Sequence, residues 1–325
     1  VGIALFSLLF VFLLTATQAS STALESARIA ASLEEWYDFQ PTGWVASSVV
    51  TCTIKVYNEE GFIDDGRYKY STDGGASWSS EQLDIQIDVI GENRRQLTVT
   101  GLSFPHSLTE DQNQIMFAIL DQWGAPLWSS AYSVRIDTVA PNSVVETSGC
   151  YNSSTWPGAI TGTASDSGSG VSSVEITLRR SSDGRYYNGT SWQTSPAWLA
   201  TVGTTSWSYS FAPEEDAYTV QSRARDAAGN EETTYGQSMF SYDMTLPQSE
   251  VWTTGYFNAE SWTGGIAGSA SDSESGVAYV QITLHNDSAN LYYDGSSWSS
   301  TPQWLTVSGT VAWSYPFMPP VDAVY

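Results

Sequence analysis

The chain has 325 residues, room for two to four domains, and carries 35 Asp and Glu against 12 Lys and Arg, a net charge of −23. That balance repels phosphate backbones and excludes nucleic acid as a partner. Two Cys make neither a disulfide scaffold nor a metal centre, whereas 14 Trp, 18 Tyr and 26 Gly point to turn-rich β-sandwiches.

Val1 to Leu14 is apolar apart from Gly2 and Ser7. As a helix this run reaches roughly 21 Å, short of the ~20 residues of a membrane span. Thr17-Gln18-Ala19 fits a small-x-small cleavage site, but no basic residue precedes the run as in a secretory signal. Neither Pro nor Gly occurs between Gly2 and Pro41. Ala16, Ala19, Ala23, Ala27 and Ala30 recur at helical spacing, as do Ser21, Glu25, Arg28, Ser32 and Glu35 on another face. The pattern predicts one long α-helix from residue 3 to residue 38. Its assembly face would be Ile3, Leu5, Leu8, Val11, Leu14, Ala16, Ala19, Ala23, Ala27 and Ala30, the small residues allowing close helix approach. A linker helix without a special role is the alternative.

An apolar start, an unbroken helix and a following β-domain resemble a mature type IV pilin-like subunit over residues 1–40. The resemblance implies a helix held in the membrane before assembly and then packed with its own copies in the core of an extracellular filament, a homo-oligomer. Leu5 departs from the Glu that most bacterial members carry at this position; archaeal-type pilins usually lack it.

Residues 41–137 read as a β-sandwich. In "VVTCTIKVY" the residues Val50, Cys52, Ile54 and Val56 alternate on one face, and "NQIMFAILDQWG" reads as a strand and turn. "STDGGASW", Ser71 to Trp78, fits the Asp-box pattern, a locally bonded turn capped by Trp78.

From Asp137 the chain repeats itself. Pro141 aligns with Pro247, Asp166 with Asp272, Gly170 with Gly276, Trp192 with Trp298 and Trp207 with Trp313, always 106 residues apart. That period is a whole sandwich domain. The domains predicted are therefore the helix at 1–40, a sandwich at 41–137, a first repeat at 138–243 and an incomplete second repeat at 244–325. The later copy ends at "VDAVY", where the earlier continues through "AYTVQSRARD" with period-2 alternation, so the native protein is expected to continue past Tyr325. "YYNGTSW" and "YYDGSSW" carry Asn-Gly and Asp-Gly, read here as two-residue hairpin turns. "GxAxDxxSGV" and "ARDAAGNEE" resemble the bacterial Ig-like repeats of large surface proteins, over residues 138–325. This implies an extracellular spacer or adhesive stalk. The expected fold class is thus mainly β: a long N-terminal α-helix followed by tandem Ig-like β-sandwich domains.

Four groups of residues remain as candidate sites. Asp166, Asp226, Asn230 and Asp272 are oxygen donors in acidic loops, a chemistry suited to Ca²⁺; Asx-turn bonding is the alternative. No other cofactor is expected. Trp192 and Trp298 could stack on a glycan or pack as core. Cys52 points inward by alternation, which suits a buried thiol, and an interdomain disulfide with Cys150 is the other option. Asn152, Asn188 and Asn286 lie in N-x-S/T sequons. His106 and His285 fall in different domains and no nucleophile, zinc or phosphate-loop motif is present, so no catalysis is expected. The reading that follows is a structural subunit of a pilus-like filament at the cell surface; the alternative is a secreted or anchored adhesin of Ig-like repeats, with a cell-surface or glycan ligand.

Overall fold

The computed structural model describes residues 34–325, and every regular element among them is a β-strand. The first unit comprises β1 (Glu34–Gln40), β2 (Trp44–Val45), β3 (Val49–Asn58), β4 (Phe62–Ser71), β5 (Gln86–Gly91), β6 (Arg94–Ser103), β7 (Gln114–Asp121), β8 (Pro126–Trp128), β9 (Tyr132–Ser133) and β10 (Arg135–Ile136). One sheet has the order β1-β3-β6-β5; the other is β4-β7-β8 with β9 also on β7; β2 and β10 form a parallel pair. The alternation in β3 sends Val50, Cys52, Ile54 and Val56 inward, against Leu97 and Val99 of β6 and Ile115, Phe117 and Ile119 of β7. The Asp-box closes as a turn: Ser77 N–H and Ser71 Oγ donate to Asp73 Oδ1 at 2.9 and 2.7 Å, and Gly75 adopts φ 85°. The Ser77 hydroxyl donates to Asp73 Oδ2, and that bond, followed by those from Ser77 N–H and Ser71, holds the Asp73 carboxyl down at about 2.

The helix expected to reach residue 38 gives way here. Glu34–Gln40 is an edge strand, antiparallel to β3 from Glu34 opposite Asn58 to Gln40 opposite Thr53. Trp36 and Phe39 pack on the core. The want of Pro and Gly favoured a helix, but Trp36, Tyr37 and Phe39 suit a half-buried pleated surface, and pairing overrides weak helical propensity. Over the described residues the fold is all-β, which corrects the expected helix-plus-β class. The assembly face from Ile3 to Ala30 lies outside the described residues.

The first repeat contains β11 (Asn142–Val145), β12 (Gly149–Tyr151), β13 (Ala159–Ser165), β14 (Val171–Arg180), β15 (Tyr186–Tyr187), β16 (Trp192–Gln193), β17 (Leu199–Ala200), β18 (Ser206–Ser210), β19 (Asp216–Asp226) and β20 (Gly236–Tyr242). They form a sandwich of β11-β13-β18 and β12-β20-β19-β14-β15-β16, with β17 on β14. Tyr218, Val220, Ser222 and Ala224 of β19 are buried as their alternation predicts. Tyr218 stacks on Phe240 at 4.9 Å, and Trp156 stacks on the same ring at 5.0 Å. Gly162 has no alternative: a Cβ there would overlap the Val144 carbonyl and the Trp207 ring. The Asn188-Gly189 pair does turn the chain, but through the four residues between Tyr187 and Trp192 rather than two.

The second repeat keeps β21 (Gln248–Val251), β22 (Gly265–Ser271), β23 (Gln281–Ile282), β24 (His285–Asn286), β25 (Leu291–Tyr293), β26 (Trp298–Ser299), β27 (Leu305–Thr306) and β28 (Ala312–Pro316). Its sheet β21-β22-β28 matches β11-β13-β18, and Gly268 against Trp313 repeats the Gly162–Trp207 contact. The register positions of most of β19 and all of β20 fall past Tyr325. Here the counterpart of β14 breaks into the short β23 and β24, beside an open trough of about 680 Å³ lined by Trp262, Ile282, Leu284 and Phe317.

Candidate functional site

The functional geometry lies where one unit hands the chain to the next. Asp137 follows β10. Its backbone N–H donates to Val45 O of the first unit at 3.0 Å, while its side chain enters the first repeat. There Asp137 Oδ2 accepts from Ser169 N–H at 2.6 Å, Oδ1 accepts from Val139 N–H at 3.0 Å, and the Asp137 carbonyl accepts from Asn230 Nδ2 at 2.9 Å. A Cβ at Gly168 would lie 2.5 Å from the Asp137 carboxylate, so a side chain there would have to displace that carboxylate. Asp137 thus bonds to both units, through its N–H to the first and through its carbonyl and carboxylate to the first repeat.

Two loops of the first repeat close around it. Asp166, after β13, accepts from Gly168 and Gly170 N–H through Oδ2 at 3.0 and 2.8 Å. Asp226, at the end of β19, accepts from Gly229 and Asn230 N–H through Oδ1, and its Oδ2 accepts from Asn230 Nδ2 at 2.7 Å. Carboxylate oxygens of Asp137, Asp166 and Asp226 lie within 4.8 Å of one another. Asp137 and Asp226 are almost fully buried, at 0% and 2% exposure. Asp166 Oδ1 is buried and has no donor. The flanking cations do not neutralise the cluster, since Arg135 pairs with Glu110 and Arg225 with Glu231. His106 Nδ1 stands 3.5 Å from Asp137 Oδ1. Burial pushes the Asp137 carboxyl up, but the bonds from Ser169 and Val139 and the nearby His106 outweigh it and leave it below the usual range.

The second joint repeats the device 106 residues on. Asp243 N–H donates to Tyr151 O of the first repeat at 2.9 Å. Its Oδ2 accepts from Ser275 N–H of the second repeat at 3.0 Å and its Oδ1 from Thr245 N–H at 2.8 Å. Bonding from Ser275 is the largest cause that holds the Asp243 carboxyl below the usual range. Asp272 takes the place of Asp166 and caps Glu274, Ser275 and Gly276 N–H. Glu274 replaces Gly168, and the Asp226 position lies past Tyr325.

Of the residues singled out from sequence, Asp166, Asp226 and Asn230 come together, and Asp272 belongs to the second joint. Asp137 and Asp243 were missed. Their signal was present in the two junctions "DTVAP" and "DMTLP", each an Asp four residues before a Pro. Trp192 and Trp298 are half-buried: Trp192 stacks on Tyr218 at 6.1 Å with Arg180 4.6 Å from its ring, and Trp298 lies 5.2 Å from Tyr293. Cys52 sits in the core of the first unit and Cys150 is exposed on β12, and both thiols are free.

A family model described as a bacterial Ig-like domain matches residues 124–243. The first repeat is therefore Ig-like, and the motifs shared at an offset of 106 extend that description to the second. No such support attaches to the pilin-like resemblance of the N-terminal segment. Among solved structures, the chain is similar to the fibronectin(III)-like modules of CbhA from Clostridium thermocellum, at 13% identity over 64% of this chain and 94% of that one, with a TM-score of 0.33. It is also similar to the FN1–FN3 domains of chicken CNTN1, at 13% identity over 87% and 86% of the two chains, with a TM-score of 0.27. Comparison with the curated proteins gives no match.

Proposed function

We propose that the chain is a spacer in a cell-surface or extracellular repeat protein, with Ig-like units set end to end by aspartate joints. The observation that carries this reading is the repetition of the joint: Asp137 and Asp243 each bond backwards through the main chain and forwards through the carboxylate, one period apart. A joint of this kind fixes orientation, whereas an unbonded linker would let the units swivel. The net charge of −23 keeps such an array soluble and extended by self-repulsion. The Ig-like match supports a surface or extracellular setting and a binding or structural role rather than catalysis. Treating intact cells with protease tests the location: the spacer reading expects the chain to be cleaved while cytoplasmic proteins survive, and full protection until lysis would contradict it.

The first joint is proposed to take a divalent cation, with Ca²⁺ the best match to carboxylate and carbonyl donors. Asp137, Asp166 and Asp226 would hold it, with Asn230 orienting Asp226. What supports this is the buried, donorless Asp166 Oδ1 among three carboxylates that no Lys or Arg pairs with among the described residues. Titration calorimetry of the full chain with Ca²⁺ after chelator treatment tests it; heats that match those of an Asp166→Asn, Asp226→Asn variant would contradict it.

A further inference from the structure

Each of the two units joined at Asp137 has an early strand running parallel to its last strand. In the first unit Trp44 and Val45 of β2 lie opposite Arg135 and Ile136 of β10. In the first repeat Gly149, Cys150 and Tyr151 of β12 lie opposite Phe240, Ser241 and Tyr242 of β20. The linker aspartates add the final rung to both ladders, through Asp137 N–H to Val45 O and Asp243 N–H to Tyr151 O. When such a chain is drawn from its two ends, β2 and β12 are pulled back once β1 and β11 ahead of them give way, while β10 and β20 are pulled forward. Ladder bonds run across the strands, so lengthwise sliding loads them together, whereas peeling from one end breaks them singly. The same two aspartates then pass the load on, because their carboxylates hold Ser169 and Ser275 of the following units.

We infer that the chain is a tension-bearing tether, in which each linker aspartate completes the parallel clamp of one unit and grips the next. This rests on the spacer reading only in that a spacer carries force along its length. The register positions that would pair with the counterpart of β12 fall past Tyr325, so the inference concerns the first unit and the first repeat.

The test is stretching of the full chain held at its two termini. One high-force rupture is expected for each clamp, from the first unit and from the first repeat. Asp243→Pro removes the rung to Tyr151 and the grip on Ser275, and should cost one of the two high-force events while the other stays. A second geometry guards against simple misfolding of that variant. The unsubstituted chain is held at its C-terminus and at an unnatural residue placed at Ser182, which lies at the same end of the sheet as Tyr242, because Arg180 is opposite Tyr218 and Asp216 opposite Tyr242. This pull peels β20 from β19, and the high-force event of the first repeat should disappear. Equal rupture forces in the two geometries, or two unchanged events in Asp243→Pro, would overturn the inference. A cytoplasmic location would sink the spacer reading and leave the pulling result as it is, so the two fail separately.

Discussion

Replacing Asp137 by Asn separates the structural role of its carboxylate from its role towards a cation. The oxygens of Asp137, Asp166 and Asp226 lie within 4.8 Å, so each charged pair repels by about 3.5 kcal/mol at an effective dielectric near 20. Asp137 takes part in two such pairs, about 7 kcal/mol before solvent at the half-exposed Asp166 reduces it. Against this stand the bonds from Ser169 and Val139 N–H, worth about 1.5–3 kcal/mol each when the acceptor is charged. The terms are of similar size, and the depressed Asp137 carboxyl shows that the bonds outweigh the repulsion. In chelator, Asp137→Asn should therefore lower the stability of the first repeat, by about 1 kcal/mol. Ca²⁺ at a hundredfold excess over its dissociation constant adds about 2.7 kcal/mol to the unsubstituted chain. For a domain of this size that raises the melting temperature by roughly 10–20 °C, and the variant should lose most of the rise. The assay is calorimetric melting of both chains in chelator and in Ca²⁺. An unsubstituted chain that melts identically in the two buffers, or a variant that keeps the full rise, would refute the reasoning.

Further expectations concern other parts of the chain. Gly162→Ala forces a methyl group into the Val144 carbonyl and the Trp207 ring; it should destabilise the first repeat by about 3 kcal/mol or more in chemical denaturation, and a wild-type midpoint would contradict the packing. Trp192→Ala removes a ring packed among Tyr187, Phe211 and Tyr218 and should cost about 3–5 kcal/mol, so any glycan screen of that variant needs a folding control. Burial pushes the Cys52 thiol up to about 12. Thiol titration at pH 8 should accordingly count Cys150 alone in the folded chain and both cysteines in denaturant. Acid should loosen both joints. The Asp137 and Asp243 carboxyls titrate below their ordinary value when folded, so their contribution is complete above an unfolded value of about 3.9 and is lost as pH falls through the depressed folded values. Scattering profiles taken down a pH series should change in maximum dimension only below about 3.9, with secondary structure retained.

Alternation made the sandwich cores readable, since Val50 to Val56 and Tyr218 to Ala224 lie inward wherever period 2 placed them. The 106-residue offset carried equally far, down to the matched glycines Gly162 and Gly268. Local pattern failed at Glu34–Gln40, where the partner that decides the conformation, β3, lies beyond the window that any helical period can see. The joint was half legible. Asp166, Asp226 and Asn230 stood out as loop oxygens, but Asp137 acts across a domain boundary. Nothing near it in sequence shows that its carboxylate reaches Ser169, 32 residues on. Sequence left Trp192 and Trp298 open between a glycan platform and core packing, because it shows a ring and not what lies against it; at Trp192 those neighbours are Arg180 and Tyr218.

The most direct test of the account is the spread of distance between the first unit and the first repeat. Spin labels at Leu83 and Val202, which are 67% and 78% exposed, report it in a chain whose exposed Cys150 is replaced by Ser. The account predicts a single narrow distribution that broadens when Asp137 is changed to Ala. A broad distribution in both chains would contradict it, and would leave the units as beads on a free linker.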